Sequence, residues 1–148
     1  MEIKVTQIPI EKPERVLIEC HKMTAEVDEI IHFVKSRSGT LTGGLNERQY
    51  EIHVTDIFYI ESVDNRTYIY TAKKVYDTRQ KLYEIEEILA DKAFLRISKS
   101  VVVNLMKIKA LKPAMNGRFS AVLSNGEEVI ISRKYVSSLK EKIRGGKG

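Results

Sequence analysis

A chain of 148 residues, 43% hydrophobic and 30% charged, is long enough to bury one substantial core and polar enough for a soluble globular protein. Its net charge of +5 is unevenly placed: residues 1–55 carry 7 Lys/Arg against 9 Asp/Glu, and residues 56–148 carry 18 against 11. A polyanionic partner would therefore meet the C-terminal two-thirds. No run approaches the ~18 apolar residues of a membrane span, the opening Met-Glu-Ile-Lys-Val lacks the apolar region of a secretory signal, and the lone Cys20 excludes an internal disulfide and fits a reducing cytoplasm.

In chain order, Ile3, Val5, Ile8 and Ile10 alternate around Pro9 and predict an edge strand over Glu2–Ile10, since proline cannot donate to a ladder. A turn at Glu11–Glu14 leads to a second strand, Arg15–Cys20. Thr24 is placed to cap a helix running to about Arg37, with Val27, Ile30, Ile31 and Val34 on one face and Glu26, Asp28 and Glu29 where the helix dipole favours acids. Ser38–Gly44 has the composition of a loop or a boundary. Strands are predicted over Tyr50–Val54, over Ile57–Ile60 and Tyr68–Tyr70 as a hairpin around Asp64–Arg66, and over Val75–Thr78 after a Lys73-Lys74 turn. Leu82, Ile85, Ile88 and Leu89 then set a helical period over about Arg79–Ala90.

Phe94–Asn104 has two characters. Val101-Val102-Val103 is a β-branched run suited to a buried strand. Arg96-Ile97-Ser98-Lys99-Ser100 before it sets cations beside small hydroxyls, a composition that suits an anionic, oxygen-rich surface. Beyond it come Ile108–Leu111, a turn near Pro113–Gly117, and Phe119–Leu123. Asn125-Gly126 predicts a type I′ turn into Val129–Ile131. Ser132 is placed to cap a last helix bearing Val136, Leu139 and Ile143, and Gly145–Gly148 reads as a disordered tail.

The chemistry of these residues argues against an enzyme. Cys20-His21, His32 and His53 lack the paired short spacings of a zinc site. Asp56, Glu61 and Asp64 fall on strand edges and turns, with no fixed histidine or cation beside them. There is no Gly-x-Ser-x-Gly elbow, and Gly39, Gly43 and Gly44 lack the remainder of a nucleotide fingerprint. What stands out is a set of basic turns punctuating β-rich sequence: Asn65-Arg66-Thr67, Ser98-Lys99-Ser100 and Ser132-Arg133-Lys134. Loops on one edge of a β scaffold could reach DNA grooves together, or could simply be soluble turns. Tyr59, Tyr68 and Tyr70 offer a further possibility, a stacking platform for single strands, against ordinary packing.

From about Tyr50 to Ile143 the chain resembles the LytTR DNA-binding domain of bacterial transcription regulators. The resemblance rests on Asp56-Ile57-Phe58-Tyr59-Ile60-Glu61, Phe94–Ser100 running into Val103-Asn104, Asn116-Gly117-Arg118, Asn125-Gly126 and Ile131-Ser132-Arg133-Lys134-Tyr135. It implies an α+β fold, predominantly antiparallel β, with a C-terminal helix, whose loops enter successive major grooves of duplex DNA. Thr67, Lys99 and Arg133 would be the base-reading positions, and Arg66, Ser100 and Lys134 neighbours that hold phosphates. Thr67 is shorter than the histidine some members carry, and Lys99 stands where others have arginine or asparagine, which gives up the bidentate fork.

The implied organisation is an N-terminal β-β-α extension (1–45, regulatory or dimerising), a DNA-binding domain (46–144) and a tail (145–148). The extension resembles that of the small stand-alone LytTR regulators. The resemblance implies no cofactor, direct-repeat sites occupied by two copies (a homodimer at least on DNA), and control by a membrane-protein antagonist. The alternative is an interaction module whose basic face meets an acidic or membrane-bound partner.

Overall fold

The structure, a computed structural model, describes residues 1–36 and 39–145. The predicted helix end at Arg37, the loop start at Ser38 and the tail from Gly146 lie outside the described residues. The described elements are α1 (Ala25–Ser36), β1 (Thr40–Leu45), β2 (Arg48–His53), β3 (Ile57–Val63), β4 (Arg66–Thr71), β5 (Val75–Thr78), α2 (Leu82–Ile88), β6 (Phe94–Arg96), β7 (Val101–Asn104), β8 (Ile108–Pro113), β9 (Phe119–Leu123), β10 (Glu128–Ile131) and α3 (Val136–Gly145). Every strand pairing is antiparallel. One sheet has the order β2-β1-β5-β4-β3-β7-β6, and a smaller one the order β10-β9-β8.

The centre of the large sheet is buried on both faces. Ile57, Ile60, Ile69 and Val102 pack with Leu82 and Ile85 of α2 and with Leu89 at its C-cap. Phe58, Ile97 and Val103 face the other way, onto Ala121, Leu123 and Ile131 of the small sheet and Leu139 of α3. Successive residues of one strand point to opposite faces, so a strand between two cores needs an unbroken apolar run, and Val101–Val103 supplies it. Asn104 ends that run inside the protein: its Nδ2 donates to the Ile57 carbonyl at 2.8 Å, and its Oδ1 accepts from the Met106 N–H at 3.0 Å. Both bonds satisfy a side chain that is 3% exposed.

Three sequence expectations need correction. From Thr40 the Ser38–Gly44 loop is strand β1, paired with β2 and, through Gly44, with β5. Its glycines serve close approach, because a Cβ on Gly43 would lie 2.7 Å from both Ile52 and Tyr76. The type I′ geometry predicted at Asn125-Gly126 occurs instead at Asn46-Glu47 (φ 51° and 65°) and Asp64-Asn65 (φ 50° and 65°). At the β9–β10 hairpin only Gly126 is left-handed (φ 91°), and Leu123 N–H bonds Glu127 O at 2.8 Å, so the loop is a three-residue turn closed by glycine. The last and largest difference concerns the strands predicted at Glu2–Ile10 and Arg15–Cys20. Neither forms. Among the described residues no strand lies beside them, and every residue from 1 to 24 except Ile18 is exposed. The helix that follows is as predicted, with Val27 N–H donating to the Thr24 hydroxyl at 3.3 Å.

Candidate nucleic-acid interface

The three basic turns converge on one edge of the β scaffold. The tight Asp64-Asn65 turn sets Arg66 directly opposite Val63, at the end of the β3–β4 hairpin. Beside it, the Ser62 N–H donates to the Ser100 carbonyl at 2.8 Å, which ties the β6–β7 loop to the same end of β3. The Ser132 N–H in turn donates to the Ile97 carbonyl at 2.8 Å, which ties the turn holding Arg133 and Lys134 to that loop. A continuous path of backbone bonds therefore joins turns separated by tens of residues in sequence.

The side chains divide by role. Arg66, Lys99, Arg133 and Lys134 are exposed. Among the described residues ion pairs join Arg96 to Glu86 and Lys112 to Glu128, and neither uses those four cations. Lys134 Nζ lies 5.6 Å from the Tyr135 ring centre. Ser100 is partly buried, and its N–H bonds the Ser98 hydroxyl at 3.2 Å. Thr67 departs from its expected role. At 3% exposure, paired between Ser62 and Thr78, it has no surface to offer a base edge, and Arg66 is the residue this turn presents.

Two residues that sequence reasoning left unassigned shape the loops. Arg96 reads as one of two cations offered outward, yet its guanidinium turns inward. Its Nε donates to Ser98 O at 2.8 Å, its Nη2 to Lys99 O, and its Nη1 to Glu86 at 2.9 Å. It gathers the carbonyls of the loop and leaves the Lys99 side chain pointing out. Gly117, with φ 74°, lies under the stem of Arg133, where a Cβ would sit 2.8 Å from Cδ. The Asn116-Gly117 turn is thus a shelf that sets where Arg133 can reach, and the Asn-Gly pair was the only signal of it in the sequence.

Between the two sheets a cleft of about 380 Å³ is lined by Tyr59, Glu61, Ser98, Arg118, Glu128 and Ser132, among others. The Tyr59 and Tyr70 rings stack at 4.4 Å, interplanar angle 14°, with their hydroxyls donated to Glu127 (2.9 Å) and Glu61 (3.3 Å). Burial first, then the adjacent carboxylates, raises both phenols above the ordinary tyrosine range. These rings are occupied by each other and flanked by carboxylates, which repel a phosphate backbone. That argues against the single-strand platform.

Known proteins resemble this chain in sequence and in fold. A model of the LytTr DNA-binding domain family matches residues 47–144. An uncharacterized HTH-type transcriptional regulator of Staphylococcus aureus is 30% identical over 128 residues, 85% of this chain and 86% of that protein. The sensory transduction protein LytT of Bacillus cereus is 26% identical over 87% of this chain, which spans 45% of that longer protein. Among solved structures, the LytTr DNA-binding domain of a putative methyl-accepting/DNA response regulator from Bacillus cereus superposes with a TM-score of 0.68 at 25% identity, covering 72% of this chain and 97% of that one.

Proposed function

The chain belongs to the LytTR DNA-binding domain family, and from that premise we propose that it is a bacterial transcription regulator that reads double-stranded DNA through three loops on one edge of its β scaffold. The observation that carries the reading is the path of backbone bonds from Ser62 to Ser100 and from Ile97 to Ser132. It holds Arg66, Lys99 and Arg133 on one rigid edge, with no acidic partner among the described residues. Rigid placement lowers the entropy cost of ordering long side chains on binding. Lys99 and Arg133 are the proposed base readers in successive major grooves, joined by Arg66 in place of the buried Thr67. Ser100 and Lys134 hold phosphates, and no cofactor is required.

The reading includes a site of direct repeats carrying two copies, action in the cytoplasm, and restraint by a membrane-protein antagonist. Among the described residues no helix is long and apolar enough to cross a membrane.

Fluorescence anisotropy against the duplex upstream of the chain's own gene, beside a scrambled duplex at two salt concentrations, tests the reading. A preference of about 10³-fold or more is expected. Arg133→Ala or Lys99→Ala should cost ~1–3 kcal/mol on the specific duplex and much less on the scrambled one. Equal losses on both would reduce these residues to phosphate clamps. If genomic selection also returned no preferred sequence, the interaction-module alternative would replace this reading.

A further inference from the structure

Residues 1–24 present a surface that this chain leaves uncovered. Ile3, Val5 and Ile10 are 92%, 86% and 100% exposed, and Val16 and Leu17 are 67% and 70% exposed. The segment adopts no helix, and none of its backbone groups enters a strand ladder. Its one turn is closed by Lys12 N–H to Pro9 O at 3.0 Å. Alternating and β-branched residues beside unused backbone donors and acceptors are the composition of a strand whose partner is missing. Large exposed apolar stretches of this kind mark association surfaces.

The sequence of the second arm identifies the partner. Arg15-Val16-Leu17-Ile18-Glu19 is apolar about Leu17 and carries opposite charges at its two ends, so it is complementary to its own antiparallel copy. Laid antiparallel on its own copy about Leu17, it sets Arg15 opposite Glu19 of the second copy, Glu19 opposite that copy's Arg15, Val16 opposite Ile18, and Leu17 opposite Leu17. Opposed charges and paired β-branched or aliphatic side chains are the favourable cross-strand combinations. The complementarity is of the segment with itself, and it singles out a second copy of this chain over an unrelated strand. Pro9 lies within the first arm and Pro13 within the turn, so the first arm suits an edge position and Arg15–Glu19 the axis.

We infer that two copies of this chain associate through an antiparallel strand pair formed by residues 15–19 of each, centred on Leu17. The two-fold applies to the arms alone. It is measured without DNA, so its failure and failure of the DNA reading are separate results.

Sedimentation equilibrium of the full chain at micromolar concentration should show a dimer. Arg15→Glu and Glu19→Arg, each placing like charges opposite, should weaken it at least about tenfold. The double exchange should restore it to within about threefold of the parent. The arm is exposed, so both single variants should keep the parental unfolding transition. A cysteine test reads the register directly. Opposed residues of an antiparallel pair stand about 4.5–5.5 Å apart, within disulfide reach, so Leu17→Cys in a Cys20→Ser background should cross-link on mild oxidation. In this ladder the native Cys20 of each copy lies opposite Glu14, about 20 Å from its mate at the rise of a strand, and should cross-link poorly. A parent that stays monomeric, single exchanges without effect, a double exchange that fails to restore association, or equal cross-linking through both positions would each overturn the inference. A monomer would assign the arm to a partner other than this chain.

Discussion

Val101-Val102-Val103 and Val16-Leu17-Ile18 are nearly the same in character, three consecutive strand-forming residues each, and they meet opposite fates. The first lies in β7 between β3 and β6 and contributes to a core on each face of the sheet. The second joins no sheet and leaves Val16 and Leu17 largely in solvent. β propensity measures how well a side chain fits a pleated surface that neighbours complete. Where the chain supplies those neighbours the run is core, and where it does not the run is an unfilled interface.

The largest expected effect sharpens this contrast. Ile60→Ala opens a cavity beneath α2 at a fully buried position and should cost about 2–5 kcal/mol in chemical denaturation. Leu17→Ala, read in dilute protein with the arms apart, should stay within about 0.5 kcal/mol of the parent. A comparable loss at Leu17 would mean that the arm packs on its own chain. Next in size is Asn104→Ala, which strands the Ile57 carbonyl and the Met106 N–H and should cost about 1–3 kcal/mol.

How far the sequence reveals this fold follows the same division. The DNA-binding domain is legible because its signals are local: β-branched runs, the α2 period, and turn residues at the hairpins. The resemblance carried by Phe94–Asn104 and Ile131–Tyr135 is specific enough to name the family. The small sheet and the hairpin partners follow from sequence order. What stays hidden depends on distant residues. Arg96 looks like Lys99 in sequence, and only Glu86 and two loop carbonyls turn it inward. Thr67 is buried by its place between β3 and β5, which no local pattern encodes. Gly43 and Gly44 look like a linker until the approach of Tyr76 and Asp77 explains them. The arm's alternation predicts a strand that does not form, because among the described residues no ladder takes up its backbone groups.

A smaller effect tests the shelf beneath Arg133. Gly117→Ala forces a side chain into left-handed backbone, at about 1–2 kcal/mol, and drives its Cβ against the Arg133 stem. Thermal unfolding should register the first cost. Specific DNA binding should fall beyond it, toward the level of Arg133→Ala. If binding is untouched while stability drops, Arg133 reaches its target from another direction.

The smallest effect lies at the stacked Tyr59 and Tyr70. Burial and the hydrogen bond to Glu127 hold the Tyr59 phenol protonated above its unfolded value near 10. The unfolded chain therefore releases that proton first as pH rises, and the folded state binds more protons through this window. The sign follows from proton linkage: stability from Tyr59 is fully present below about pH 10 and is lost above it. Denaturation at about pH 8 and pH 10.5 should show a steeper alkaline loss in the parent than in Tyr59→Phe, while Tyr70, raised in the same direction, keeps part of the slope in both. Equal slopes for Tyr59→Phe and the parent would mean that the stacked pair opens to water and that the two sheets are less firmly closed over Tyr59 and Tyr70 than their 4.4 Å stacking indicates.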